Sequence, residues 1–154
     1  MPRIQALLWA ALAACWVVPI LRLCQVIGGC QWLGHMGQAG AAATAAAMVA
    51  LCVLAAIANI SHGGVPGVVK LAIVLASSLH LFQAVGFYIL TSSNGHASPL
   101  VLLPFALVSA VFPSVIVTGN GAVMAALYVA LPLFCLALAL SARRPSRAEP
   151  HAGA

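Results

Sequence analysis

Residues 39–60 read AGAAATAAAMVALCVLAAIANI, without a single charged side chain. A helix rises about 1.5 Å per residue, and about 20 mainly apolar residues cover the hydrocarbon core of a bilayer. The stretch is long enough to do so, and its alanine, leucine and methionine rank among the strongest helix formers. The sequence on both sides repeats the pattern. Between Ile4 and Ala142 only Arg22 and Lys70 carry charge, and the one acidic residue of the chain is Glu149. Hydrophobic residues make up 64% of the chain and charged residues 5%, against about 45–50% and about 25% in an ordinary soluble domain. A chain of that composition cannot face water on every side, so its solvent is lipid.

Reading outward from 39–60, breaker residues divide the chain into five apolar segments. The first covers about 4–27 and carries Trp9, Trp16 and Pro19. It is followed by a glycine-rich loop, Gly28 to Gln38, in which Trp32 suits an interfacial aromatic belt. The second segment covers 39–60 and ends at the cluster Ser61-His62-Gly63-Gly64-Val65-Pro66-Gly67. The third covers 68–90 and ends at Ser92-Ser93-Asn94-Gly95-His96. The fourth covers 99–117, and the fifth covers 122–142 after the turn Thr118-Gly119-Asn120-Gly121. In lipid every backbone polar group needs an internal partner, so runs of this length are helices. The ten-residue alternation of barrel strands is absent. The expected fold is therefore an all-α integral membrane protein, one domain over 1–142 made of about five transmembrane helices, with 143–154 a disordered basic tail. Pro104, Pro113 and Pro132 are expected to kink segments four and five.

Arg143, Arg144 and Arg147 place the C-terminus on the cytoplasmic side, plausible for a bacterial inner membrane. Five crossings then put Arg22 with the tail, and Arg3 and Lys70 on the far side. The alternative is four crossings with a re-entrant segment, the proline-broken fourth. It places Arg3, Lys70 and the tail on one side. Leu12-Ala13-Ala14-Cys15 has the shape of a lipoprotein cleavage box, but the apolar run continues through Trp16-Val17-Val18, as a crossing does and a cleaved signal does not.

Polar residues gather on one side of segment three. At about 100° per residue, Lys70, Ser77, His80, Gln83, Tyr88 and Thr91 fall within an arc of roughly 140°. Ser77, His80, Gln83 and Tyr88 are the ligand or pore-lining candidates, with His80 near mid-membrane, where an ionisable side chain marks a functional site. Haem or a quinone beside His80 is the cofactor reading these residues allow. A bis-histidine haem within one chain is disfavoured, because His80 is the only histidine inside a segment. Neutral interhelical hydrogen bonding accounts for the same residues. Gly37, Ala41 and Ala45, and likewise Gly40 and Thr44, recur at four-residue spacing. Small residues at that spacing let helix backbones approach closely, either against a partner or within the chain.

Cys15, Cys24, Cys30, Cys52 and Cys135 form no C-x-x-C pair and read as small apolar packers. His35, His96 and Cys30 lack the spacing of a metal site, so no metal is expected. No intramembrane carboxylate, G-x-S-x-G, H-E-x-x-H or P-loop occurs. A basic face with aromatic readers for nucleic acid is also missing. The expectation is a small membrane protein without catalysis, a subunit or scaffold meeting lipid and other transmembrane helices in a homo-oligomer or complex. The alternative is a small transporter or channel for a neutral or weakly polar solute, lined by Ser77, His80 and Gln83. An enzyme or cofactor protein centred on His80 ranks third.

Overall fold

The computed structural model describes residues 2–23, 35–93, 96–113 and 122–142, with the side chains of 2, 22–23, 35–38 and 122–128 left aside. The expected tail at 143–154, the loop carrying Cys24, Cys30 and Trp32, and the turn Thr118–Gly121 lie outside the described residues. The described residues form five helices and no strand: α1 (Pro2–Leu23), α2 (His35–His62), α3 (Gly67–Ser92), α4 (Pro99–Val111) and α5 (Ala122–Ser141). Three of them are long and apolar enough to cross a membrane, over Arg3–Leu21, Ala39–His62 and Gly67–Ser92. Their outward faces match that role: Leu7, Leu54, Ile57, Leu75 and Val85 are all exposed.

The helix ends follow local chemistry. α2 closes at His62, and Gly63 then adopts φ +66°, a left-handed conformation that costs glycine little. Pro66 leads into α3. At the far end of α3 the hydroxyls of Thr91, Ser92 and Ser93 donate to carbonyls of its own last turns.

α1 and α2 pack along one another, and α3 packs chiefly on α5. The core runs through Trp9, Trp16, Ala41, Ala45, Met48, Cys52, Ile73, Cys135 and Ala139, all fully buried. Lys70 fixes the direction of α5. Its Nζ donates to the Ala142 carbonyl at 2.9 Å, with the Leu140 carbonyl at 3.5 Å. The amino end of α3 and the carboxyl end of α5 therefore sit together, and the two helices are antiparallel. Five complete up-and-down crossings would place Lys70 and Ala142 at opposite ends.

α4 departs most from its sequence reading. A helix over 99–117 was expected, with a kink at Pro113. The helix instead stops at Val111, and Phe112 has φ −134° and ψ 79°. A residue before proline is pushed out of the helical region, because the proline ring meets its backbone. Pro104, by contrast, lies within α4, as Pro132 lies within α5. No α4 residue is buried. The helix runs back along α3: Phe105 stacks on Phe82 at 4.5 Å, and Phe112 lies beside His80 at 4.9 Å. Pro113 then meets Gly40 and Thr44, in the amino-terminal half of α2.

Candidate functional site

The buried face of α3 consists of Ile73, Ser77, His80, Gln83 and Gly86. Three of the four pore-lining candidates are thus on it, and Tyr88 is not: it is 70% exposed. Thr91 is exposed as well. At 100° per residue the buried positions 73, 77, 80, 83 and 86 span about 180°; Tyr88 falls just outside their edge, and Thr91, within the same sector, sits in the last turn of α3.

His80 lies ten positions beyond Lys70, about 15 Å along the helix. Its ring sits between two aromatic rings, Trp16 of α1 at 5.1 Å and Phe112 at 4.9 Å, the latter edge-on at 68°. One position pair further, Gln83 Nε2 donates to the Phe112 carbonyl. Across the bundle, Thr44 Oγ1 lies 2.6 Å from the Pro113 carbonyl and 3.0 Å from the Ala41 carbonyl of its own helix, and its single proton serves either. The two backbone carbonyls where α4 ends are thereby held by a side chain from α3 and one from α2. Both carbonyls lie beyond the last residue of α4, and a carbonyl held away from water needs a donor.

The small residues of α2 serve the same junction. Ala41 and Ala45 are fully buried in the chain's own core. Gly40 lies directly under Pro113: a Cβ there would stand 2.8 Å from Pro113 Cγ. Gly37 falls within α2, with its surroundings outside the described residues. Gly86 plays the matching part on α3, where the Phe105 ring fills the space a Cβ would take. The sequence did not single out Gly86, Phe105 or Phe112, since their meeting depends on α4 folding back.

Two oxygens on this buried face, Ser77 Oγ and Gln83 Oε1, have no hydrogen-bond partner among the described residues. Beside the junction, Trp16 Nε1 donates to Cys135 Sγ at 3.4 Å, and Cys135 Sγ is 3.9 Å from Cys52 Sγ. The sequence reading took these cysteines separately; they are 83 positions apart and only the fold joins them. No cluster of three or more His, Cys, Asp or Glu residues suited to a metal occurs among the described residues. On the outer surface, α1 and α5 border an apolar groove of about 470 Å³, lined by residues including Leu8, Leu12, Cys15, Phe134 and Leu138.

Comparison of the chain with family models, with curated proteins and with solved structures gave no match.

Proposed function

We propose that the chain is a small, non-catalytic subunit or scaffold of a membrane complex, with four complete crossings and a re-entrant α4. The observation that carries this reading is the use of its polar side chains. Gln83 and Thr44 hold the carbonyls of Phe112 and Pro113, and His80 is packed between Trp16 and Phe112. These residues join helices of one chain. What remains on the outside is apolar surface, including the groove between α1 and α5. The pairing of Lys70 with Ala142 supports the re-entrant arrangement, in which α1, α2, α3 and α5 cross. Arg3, Lys70 and the arginines of the tail then share one side, which the positive-inside rule makes cytoplasmic.

The test is purification of the tagged chain from native membranes in a mild detergent, with mass measured on the intact particle. Co-purifying membrane proteins or a defined oligomer support the reading. A monodisperse monomer carrying only lipid overturns it.

A second reading, passage of a neutral or weakly polar solute, draws on Ser77 Oγ and Gln83 Oε1, two buried acceptors beside the end of a half-membrane helix. Liposome flux of small neutral solutes, compared for wild type and His80→Ala, tests it. Equal flux removes His80 from any path.

A further inference from the structure

The apolar groove between α1 and α5 runs toward the end of the bundle where basic residues collect. Its α1 wall carries Leu8, Ala11 and Cys15, and its α5 wall Phe134, Ala137 and Ser141. On each helix these positions follow i, i+3, i+7 and so form one stripe along the axis. All six are exposed. The lining holds no charged side chain, and Ser141 is its only hydroxyl. α3 and α5 are antiparallel, and four crossings set α1 parallel to α3, so the amino end of α1 lies beside the carboxyl end of α5. Beyond Ser141 the chain continues through Ala142 into Arg143 and Arg144. At about 3.8 Å between consecutive Cα atoms, the two arginines are within about 7.6 Å and 11.4 Å of Ser141. Arg3 is exposed five positions before Leu8, about 7.5 Å along α1. Lys70 is bonded at Ala142. With Arg147, five of the six basic residues share this end, against one acidic residue, Glu149. We propose that the groove is a binding site for one anionic phospholipid, its acyl chain along the two stripes and its phosphate at Arg143 and Arg144.

The groove and the charges call for one molecule that carries both chemistries. A volume of about 470 Å³ falls in the range of about 300–1,000 Å³ that small-molecule sites occupy. From Phe134 to Ser141 the groove follows α5 for about 10.5 Å, within the roughly 15 Å that the acyl chains of one leaflet occupy. A partner helix laid in it would cover the apolar walls and leave the arginines at its end without a counter-charge. A phospholipid anion supplies the apolar chain and the counter-charge together. Selectivity then comes from the headgroup, because lipid tails are as apolar as the leucines of the walls and a chain gains little by exchanging one for the other. A basic residue near the surface attracts an anionic lipid by about fivefold in affinity. The walls decide where that lipid sits, which separates a site from a diffuse attraction to the basic end. The inference rests on the four-crossing arrangement proposed above and needs no partner subunit.

The experiment is native mass spectrometry of the full chain released from mild detergent, titrated with phosphatidylglycerol or with phosphatidylcholine of the same acyl chains. One phosphatidylglycerol is expected to be retained about 10-fold or more tightly than phosphatidylcholine. The Arg143→Gln, Arg144→Gln double variant should weaken it by about 25-fold, and Arg22→Gln should leave it unchanged. Ala137→Trp and Ala11→Trp each place a ring in the groove from an exposed position and should each abolish retention. Leu54→Trp, on the exposed face of α2, should not. The comparison of the two lipids on the wild-type chain needs no variant, so it decides the question even where a substitution disturbs the bundle. Equal retention of the two lipids overturns the proposal. So does loss in the arginine variant with none in either tryptophan variant, which would leave only diffuse attraction. Displacement of the lipid by glycerol phosphate, which has the charge without the chains, overturns it as well. A disulfide between Cys15 of two chains in native membranes, with Cys24 and Cys30 changed to serine, would put a second copy in the groove instead. The topology is read separately: in a cysteine-free chain, Arg3→Cys and Ala148→Cys should react with an impermeant maleimide from the same side. Reaction from opposite sides removes the four-crossing arrangement and this site with it, whereas reaction from one side with equal lipid retention removes the site alone.

Discussion

Gly40→Ala is the substitution that most directly separates packing within the chain from packing between chains. The added Cβ would stand 2.8 Å from Pro113 Cγ, 3.5 Å from its Cβ and 3.7 Å from its Cδ. Carbon atoms rest comfortably at about 3.5–4.0 Å, so the proline ring must retreat by roughly 0.7–1.2 Å. Its retreat is opposed by the Thr44 hydrogen bond to the Pro113 carbonyl. Overpacking of a filled site costs about 1–3 kcal/mol, and the two constraints on Pro113 put this case at about 2 kcal/mol. The assay is reversible unfolding in mixed detergent micelles of Gly40→Ala, Pro113→Ala and the double variant. Removal of Cγ leaves the new methyl against an ordinary contact, so the double variant should recover about 1–2 kcal/mol relative to the sum of the single changes. Including Pro113→Ala alone corrects for the backbone N–H it introduces. Additive losses, or a loss that varies with protein concentration, would refute the reasoning and assign the small-residue face of α2 to contacts between chains.

Gln83→Leu leaves the Phe112 carbonyl without its donor, and a loss of about 1–2 kcal/mol is expected in the same unfolding assay; an unchanged midpoint would mean water or another group serves that carbonyl. Gly86→Ala forces the Phe105 ring off Phe82, so a loss of about 1–3 kcal/mol should be accompanied by partial recovery in the Gly86→Ala, Phe105→Leu pair. In a chain whose native cysteines are serine, a cysteine at Ser61 and one at Ser98 mark the two ends of α3; a membrane-impermeant maleimide applied to intact cells should label Ser98→Cys and spare Ser61→Cys. The reverse pattern inverts the topology, and labelling of both is incompatible with α3 as a crossing.

The three long helices were legible because their composition leaves no other conformation in lipid, and their ends were close because Gly63 and Pro66 are unambiguous punctuation. α2 begins and ends a few residues beyond the uncharged run, since His35 and His62 extend a helix that hydropathy alone truncates. The wheel put Ser77, His80, Gln83 and Tyr88 in one polar arc; the first three are buried and Tyr88, at the edge of that arc, is exposed, because angular position alone does not say which side a neighbouring helix covers. The meeting of Cys52 with Cys135 was invisible for a different reason. It depends on the fold bringing a side chain of α2 against one of α5, and nothing local to either cysteine encodes that.

Segment four shows how a residue can be read correctly and its consequence missed. Pro104 and Pro113 are both prolines in an apolar run, and a kink was expected at each. At Pro104 the helix continues; before Pro113 it ends, with Phe112 extended. The difference lies in what the surroundings supply. A chain that leaves the helix at membrane depth exposes carbonyls, and these must find donors or the break is prohibitively costly. At Phe112 and Pro113 the donors exist: Gln83 from one neighbour and Thr44 from another, with Gly40 giving the ring room to approach. The polar stripe of α3 and the small-residue face of α2, which read in sequence as two unrelated features, are thus two halves of one support.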